Sequence, residues 1–329
     1  MNSHRVSAVA LALAAFLPAA EHASAQAAGG FPDKPLRMLV GNAPGGGSDI
    51  TARAVADKLG ERLGQPVIVD NRPGASGIIA MNAVAQAPAN GYTLLISSGG
   101  ELGSIQVQKK LGYDVRTGFA PVTQLTSQYY LLLSSPSIPA TSLKELIEYA
   151  RSRPGVLSFG SAGMGSTGHA GLELMKSMTG TDIVHVPYKG IAPALTDMIG
   201  AQLHLAFVST ISGGPQVSSG KLRALAVTSA QRAKSYPNLP ALAELAPGFE
   251  LTSWYGLFAT GGTPAAVVDA LFRNTTLALQ SPELQTRFAG SGAEAAPSAS
   301  VPAFVQALAS ELARWEKVSQ MPGFAEALK

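Results

Sequence analysis

The strongest constraint on the fold is a rhythm. Short apolar runs alternate with segments whose apolar residues recur at intervals of three and four. Residues 36–40 (LRMLV) read as a strand. In 48–63, Ala52, Val55, Ala56 and Leu59 fall on one helical face, and Gly64 ends the helix. A strand at 66–70, a helix near 78–87 and a strand at 92–97 continue the pattern. Such alternation builds mostly parallel sheets covered by helices.

Two long β-like runs interrupt the rhythm, "PVTQLTSQYYLLLSS" at 121–135 and "ELTSWYGLFAT" at 250–260. Between them lies a complete αβ block. Ser142 and Glu145 have the spacing of a capping box and open a helix. Strands are predicted at 156–161, 183–187, 203–208 and 222–228, with helices at 167–178 and 193–199. Three helices close the chain. Thr263 and Ser281 are expected as N-caps, with Pro264 and Pro282 at the first helical position. Phe304, Leu308, Leu312 and Trp315 fall on one face of the third. A block bracketed by two long runs implies one domain inserted into another. The predicted division is lobe 1 at 26–127 plus 250–329, and lobe 2 at 128–249. Two crossings make a hinge, and a cleft lies between the lobes.

Residues 1–25 read as a signal peptide: Arg5, then an apolar run at 6–20, then Ala23-Ser24-Ala25 as a cleavage signature. Export to the periplasm is the expectation. Cysteine is absent, which excludes thiol catalysis, disulfide staples and Cys-based metal sites. The formal charge is +3 and only 14% of residues are charged. The basic residues are scattered, so no nucleic-acid partner is expected.

Two glycine-rich turns carry the functional signal. The first runs Gly41-Asn42-Ala43-Pro44-Gly45-Gly46-Gly47-Ser48-Asp49, and the second is "GSAGMGSTGH" at 160–169. Each links a strand to a helix. Missing β-carbons let backbone N–H groups approach a ligand, and a helix start attracts anions. Either turn alone could be only a tight connection. Two of them, both at carboxyl ends of strands, can face one cleft and hold an anion from both sides. Lys and Arg are scarce in both, so the donors would be neutral.

Gly163, Gly165 and Gly168 spell G-x-G-x-x-G. A dinucleotide fingerprint needs an acid at the end of the following strand, but "DIVHVPYKG" ends in Tyr188 and Lys189. No nucleophile elbow, Walker motif or metal-ligand spacing is present, and no cofactor or metal is expected. His185 and His204 alternate within strands and read as packed or surface residues; His169 sits at a helix start and can reach the cleft. Asp49 is either a first-turn helix acid or a contact for a ligand's amino or hydroxyl group. An exported hydrolase using Ser161 or Ser166, with His169 as the nearby base, is the alternative chemistry.

The chain resembles the periplasmic substrate-binding proteins of tripartite tricarboxylate transporters, the Bug family. The resemblance rests on "FPDKPLRMLV" (31–40), "APGGGSDITAR" (43–53), "LGQPVIVDNRPGASG" (63–77), the stretch 158–203, "GKLRALAVTSAQR" (220–232) and "PGFELTSWYGLFATGGTP" (247–264). It implies an α/β fold like the type II periplasmic binding proteins, with two α/β lobes hinged about a cleft. It also implies a monomeric receptor, not an enzyme, that binds a small organic anion and passes it to integral-membrane transporter subunits. A sensor subunit that presents ligand to a membrane kinase is the other role open to such a receptor. Carried over to this sequence, the ligand-binding positions are Asn42, Ala43, Pro44, Gly45, Gly46, Gly47, Ser48 and Asp49 in the first lobe. In the second they are Ser161, Ala162, Gly163, Ser166, Thr167, His169, Val208 and Ser209. Three departures stand out: Gly41-Asn42 where the family commonly has an aromatic residue, Val208-Ser209 after Phe207 where it often has Asp-Asn, and Ile78-Ile79-Ala80 where Asn-Ile-Gly is usual. They imply an intact carboxylate clamp with an altered, less acidic ligand wall.

Overall fold

The computed structural model describes residues 30–108 and 112–320. The predicted signal peptide lies outside the described residues. In chain order the elements are β1 (Leu36–Val40), α1 (Gly47–Leu63), β2 (Val67–Asn71), α2 (Ile78–Ala85), β3 (Thr93–Ser98), α3 (Gly99–Val107) and α4 (Val115–Gly118). There follow β4 (Phe119–Ser134), α5 (Leu143–Ser152), β5 (Ser158–Ser161), α6 (Thr167–Thr179), β6 (Val184–Pro187), α7 (Ile191–Ile199), β7 (Leu205–Ser209), α8 (Thr210–Ser218) and β8 (Arg223–Val227). The chain closes with β9 (Thr252–Thr260), α9 (Ala265–Leu279), α10 (Pro282–Gly290), β10 (Glu294–Ala295) and α11 (Val301–Val318).

The strands form one continuous sheet in the order β2-β1-β3-β9-β4-β7-β5-β6, with β8 and β10 also on β4. β1 pairs parallel with β2 and β3, and β3 pairs antiparallel with β9. The long strand β4 joins the two halves. Its Phe119–Tyr129 stretch pairs with β9, while Tyr130–Ser134 pairs with β7. β5 then lies parallel between β6 and β7. A single 16-residue strand therefore belongs to both half-sheets.

Helices lie on both faces of each half-sheet, so central strands such as β3 and β7 are buried along almost their whole length. In the first half, Met38, Ile96 and Leu257 pack under α1 and α9, while Leu39, Leu95 and Phe258 face α2, α3 and α11. In the second, Phe159, Leu205 and Phe207 meet α5 and α6, while Ala206 and Val208 meet α7. The period of two in a strand makes this partition automatic. Burying each such Leu, Ile or Phe contributes about 1.5–3 kcal/mol. Ile211 of α8 is buried in the core of the first half although β7 and β8 on either side of α8 belong to the second. That side chain ties the halves together.

Three helices were not foreseen: the single turn α4, and α3 and α8. α3 contains Gly99, Gly100 and Gly103, and α8 contains Gly213, Gly214 and Pro215, residues that read as breakers. One helix start also shifts. Pro264, not Thr263, is the N-cap of α9; the Thr263 hydroxyl instead donates to the Thr260 carbonyl at 2.8 Å.

Candidate functional site

Where the two half-sheets meet, a cavity opens between loops from both. It has ≈ 510 Å³ of open space, solvent at its mouth included, which suits a small solute. Among the described residues, no lysine, arginine or histidine lines it.

Among the described residues, four helices place their N-cap residue in the wall of this cavity. Their N-cap residues are Gly46 of α1, Ser98 of α3, Ser166 of α6 and Ser209 of α8, and all four line it. A helix start leaves backbone N–H groups unpaired and carries about half a positive elementary charge. Two of the four are answered internally. The Ser98 hydroxyl accepts from Glu101 N in a full capping box, and the Ser166 hydroxyl accepts from His169 N at 3.4 Å. The starts of α1 and α8 have no side-chain cap. They also abut: a β-carbon on Gly47 would lie 2.6 Å from both the Ser209 hydroxyl and the Tyr255 hydroxyl. Uncapped N–H groups from two touching helix starts are donors suited to a carboxylate.

Of the residues expected from sequence, Asn42, Gly46, Gly47, Ser48, Ala162, Ser166, Thr167 and Ser209 line the cavity. Ala43, Pro44, Gly45, Asp49, Ser161, Gly163, His169 and Val208 do not line it. Asp49 is buried and fully engaged: its carboxylate accepts from Gly45 N at 2.9 Å, Arg53 Nε at 3.0 Å and Asn71 Nδ2 at 2.9 Å. It therefore fixes the Ala43-Pro44-Gly45 turn from behind. Ser161 is fully buried; its hydroxyl donates to the Gly163 carbonyl and lies 2.6 Å from His185 Nε2. Gly163 has φ +135°, and a β-carbon there would lie 2.6 Å from Ser76 Oγ on the opposite half. Val208 points into the core under α7, so Phe207 and Ser209 supply the wall on either side of it.

His169 is also buried and stacks on His185, ring centroids 4.1 Å apart and 10° from parallel. Its Nδ1 accepts from Gly165 N at 3.0 Å. Burial lowers the pKa of both imidazoles, that of His185 to about 3, with the neighbouring His169 and Lys176 adding to the effect. These rings are neutral parts of the loop scaffold. Ser166 is occupied as a helix cap. Neither Ser161, buried beneath the loop, nor Ser166, engaged as a cap, thus presents the accessible hydroxyl and base that the hydrolase alternative needs.

Sequence reasoning missed Ser98, Glu101, Tyr130, Gly168, Ile191, Phe207 and Tyr255, which also line the cavity. The capping-box spacing of Ser98 and Glu101 was a usable signal. Tyr130 and Tyr255 gave none, because only the sheet register brings them to the junction. Burial raises both phenols' pKa, so both hydroxyls stay protonated.

Comparison with known proteins bears on the family and the fold. The family described as "Tripartite tricarboxylate transporter family receptor" matches residues 51–324. Protein BugT of Bordetella pertussis is 34% identical over 327 residues, 98% of this chain and 99% of BugT. The structure of periplasmic binding protein BugD superposes with a TM-score of 0.85 at 32% identity, covering 89% of this chain and 99% of BugD. Rpa4515 of R. palustris, solved with adipate, gives 0.84 at 38% identity, covering 88% and 97%. These are solute-binding proteins and not enzymes, and they share the α/β periplasmic-binding-protein fold expected from the sequence. The chain belongs to the tripartite tricarboxylate transporter receptor family.

Proposed function

We propose that this protein captures a small carboxylate in the periplasm and delivers it to the membrane subunits of a tripartite tricarboxylate-type transporter. The observation that carries this reading is the pair of uncapped helix starts, α1 and α8, meeting in a cavity without lysine or arginine. Neutral N–H groups and helix dipoles satisfy one anionic head and demand no paired cation. The adipate seen with Rpa4515 supports a carboxylate as the ligand class.

In this reading the chain has two lobes, 26–127 plus 250–329 and 128–249. β4 and the return near residue 250 form the hinge, and the lobes close on ligand. The ligand contacts come from the cavity-lining residues of the two glycine turns together with Ser209. Calorimetry with mono-, di- and tricarboxylates and carboxylate-bearing amino acids tests this reading. Micromolar or tighter binding of at least one is expected. Failure of every carboxylate, alongside tight binding of a cationic or neutral solute, would refute it.

A further inference from the structure

We infer that Glu101 makes the receptor select carboxylates that carry a hydrogen-bond donor, best an ammonium, close to the carboxylate carbon. This rests on the carboxylate-receptor reading above and deepens it.

Glu101 is the one acidic residue that lines the cavity, and no cationic side chain lines it among the described residues. Its partners are neutral donors: Asn42 Nδ2 at 2.5 Å on Oε1, and Ser97 Oγ at 2.8 Å and Ser98 N at 3.1 Å on Oε2. A carboxylate has about four acceptor sites, so acceptor capacity remains on the cavity side. The charge also lies close to the carboxylate pocket. The same Asn42 amide that donates to Glu101 donates to Ser48 Oγ at 3.1 Å, in the first turn of α1. One side-chain amide thus spans the distance from the acid to the uncapped helix start.

A carboxylate seated on α1 and α8 lies within range of the Glu101 charge. A plain carboxylate meets repulsion there. A ligand with an ammonium on a neighbouring carbon turns that repulsion into a charge-assisted hydrogen bond. A hydroxyl in the same place donates without charge and falls between. The helix starts hold the anionic pole of the ligand, and Glu101 holds the donor pole.

Three matched triads test the inference by calorimetry: propanoate, lactate and alanine; succinate, malate and aspartate; adipate, 2-hydroxyadipate and 2-aminoadipate. The three chain lengths remove overall size as the deciding variable. In the wild type, within any triad that binds, the amino member is expected to be about tenfold or more tighter than the unsubstituted member, with the hydroxy member between. Glu101→Gln should compress that ratio to within about threefold. Glu101→Asp should keep the order of preference. An unsubstituted acid that equals or exceeds its amino partner in the wild type overturns the inference, as does an unchanged ratio in Glu101→Gln. The wild-type panel decides alone if the glutamine variant does not fold. Failure of all nine compounds would instead bring down the carboxylate reading itself.

Discussion

Gly100, in the first turn of α3, faces Thr167 at the start of α6 so closely that a β-carbon on Gly100 would lie 1.9 Å from the Thr167 hydroxyl. The two residues belong to opposite half-sheets. Thr167 is β-branched and stiff, so a methyl group there must push the halves apart. Gly100→Ala should weaken ligand binding at least about tenfold, a loss of about 1.4 kcal/mol. The melting temperature of the unliganded protein should change little. Calorimetry beside thermal melting checks the pair of outcomes, and unchanged affinity would show that the contact does not bear on closure.

Gly47 gives a sharper test of the anion pocket. Its missing β-carbon is what lets the α1 start meet Ser209 and buried Tyr255. Gly47→Ala should reduce carboxylate affinity about 100-fold or more, since both the donors and the space are displaced. Retained affinity in titration would place the ligand elsewhere.

The rim offers a smaller effect. The Ser76 hydroxyl donates to the Met164 carbonyl at 2.9 Å, a bond between the two halves. Ser76→Ala should cost about 1 kcal/mol of the contact between the halves, near fivefold in affinity, seen mainly as faster ligand release in stopped-flow traces.

The stacked imidazoles predict a pH dependence. The folded-state pKa of His185 is lowered to about 3, and the unfolded value is near 6.5. Between those values the unfolded chain binds more protons. Stability is therefore fully present above about pH 6.5 and is lost as pH falls toward 3. Solvent screening at this half-buried site reduces the effect to about 1–2 kcal/mol. His185→Gln should flatten the slope of melting temperature against pH in that window; an unchanged slope would assign the acid sensitivity to other groups.

Trp254 reports on the junction. It packs edge-on to Phe304, ring centroids 5.4 Å apart, and lies against Gly99 at the start of α3. With buried Trp315 replaced by Phe, saturating ligand should shift the remaining emission. Constant emission would put Trp254 outside the parts that move.

The alternation of apolar runs, the N-caps Ser142 and Ser281 and the stop at Gly64 are local chemistry, and each determined an element boundary from sequence alone. The glycines at 45–47 and at 163, 165 and 168 marked two turns of the site for the same reason, since a backbone without β-carbons is a property of the chain itself. α3 and α8 were decided only by packing. Their glycines oppose helix formation in isolation, but they admit Trp254, Thr167 and Trp315 against α3, and Leu133 and Val208 against α8. Burial of those neighbours outweighs the propensity penalty of about 1 kcal/mol per glycine. The placement of Glu101, Tyr130 and Tyr255 around one cavity was decided the same way, because it depends on the register of β4 against β7 and β9, which no stretch of sequence contains by itself.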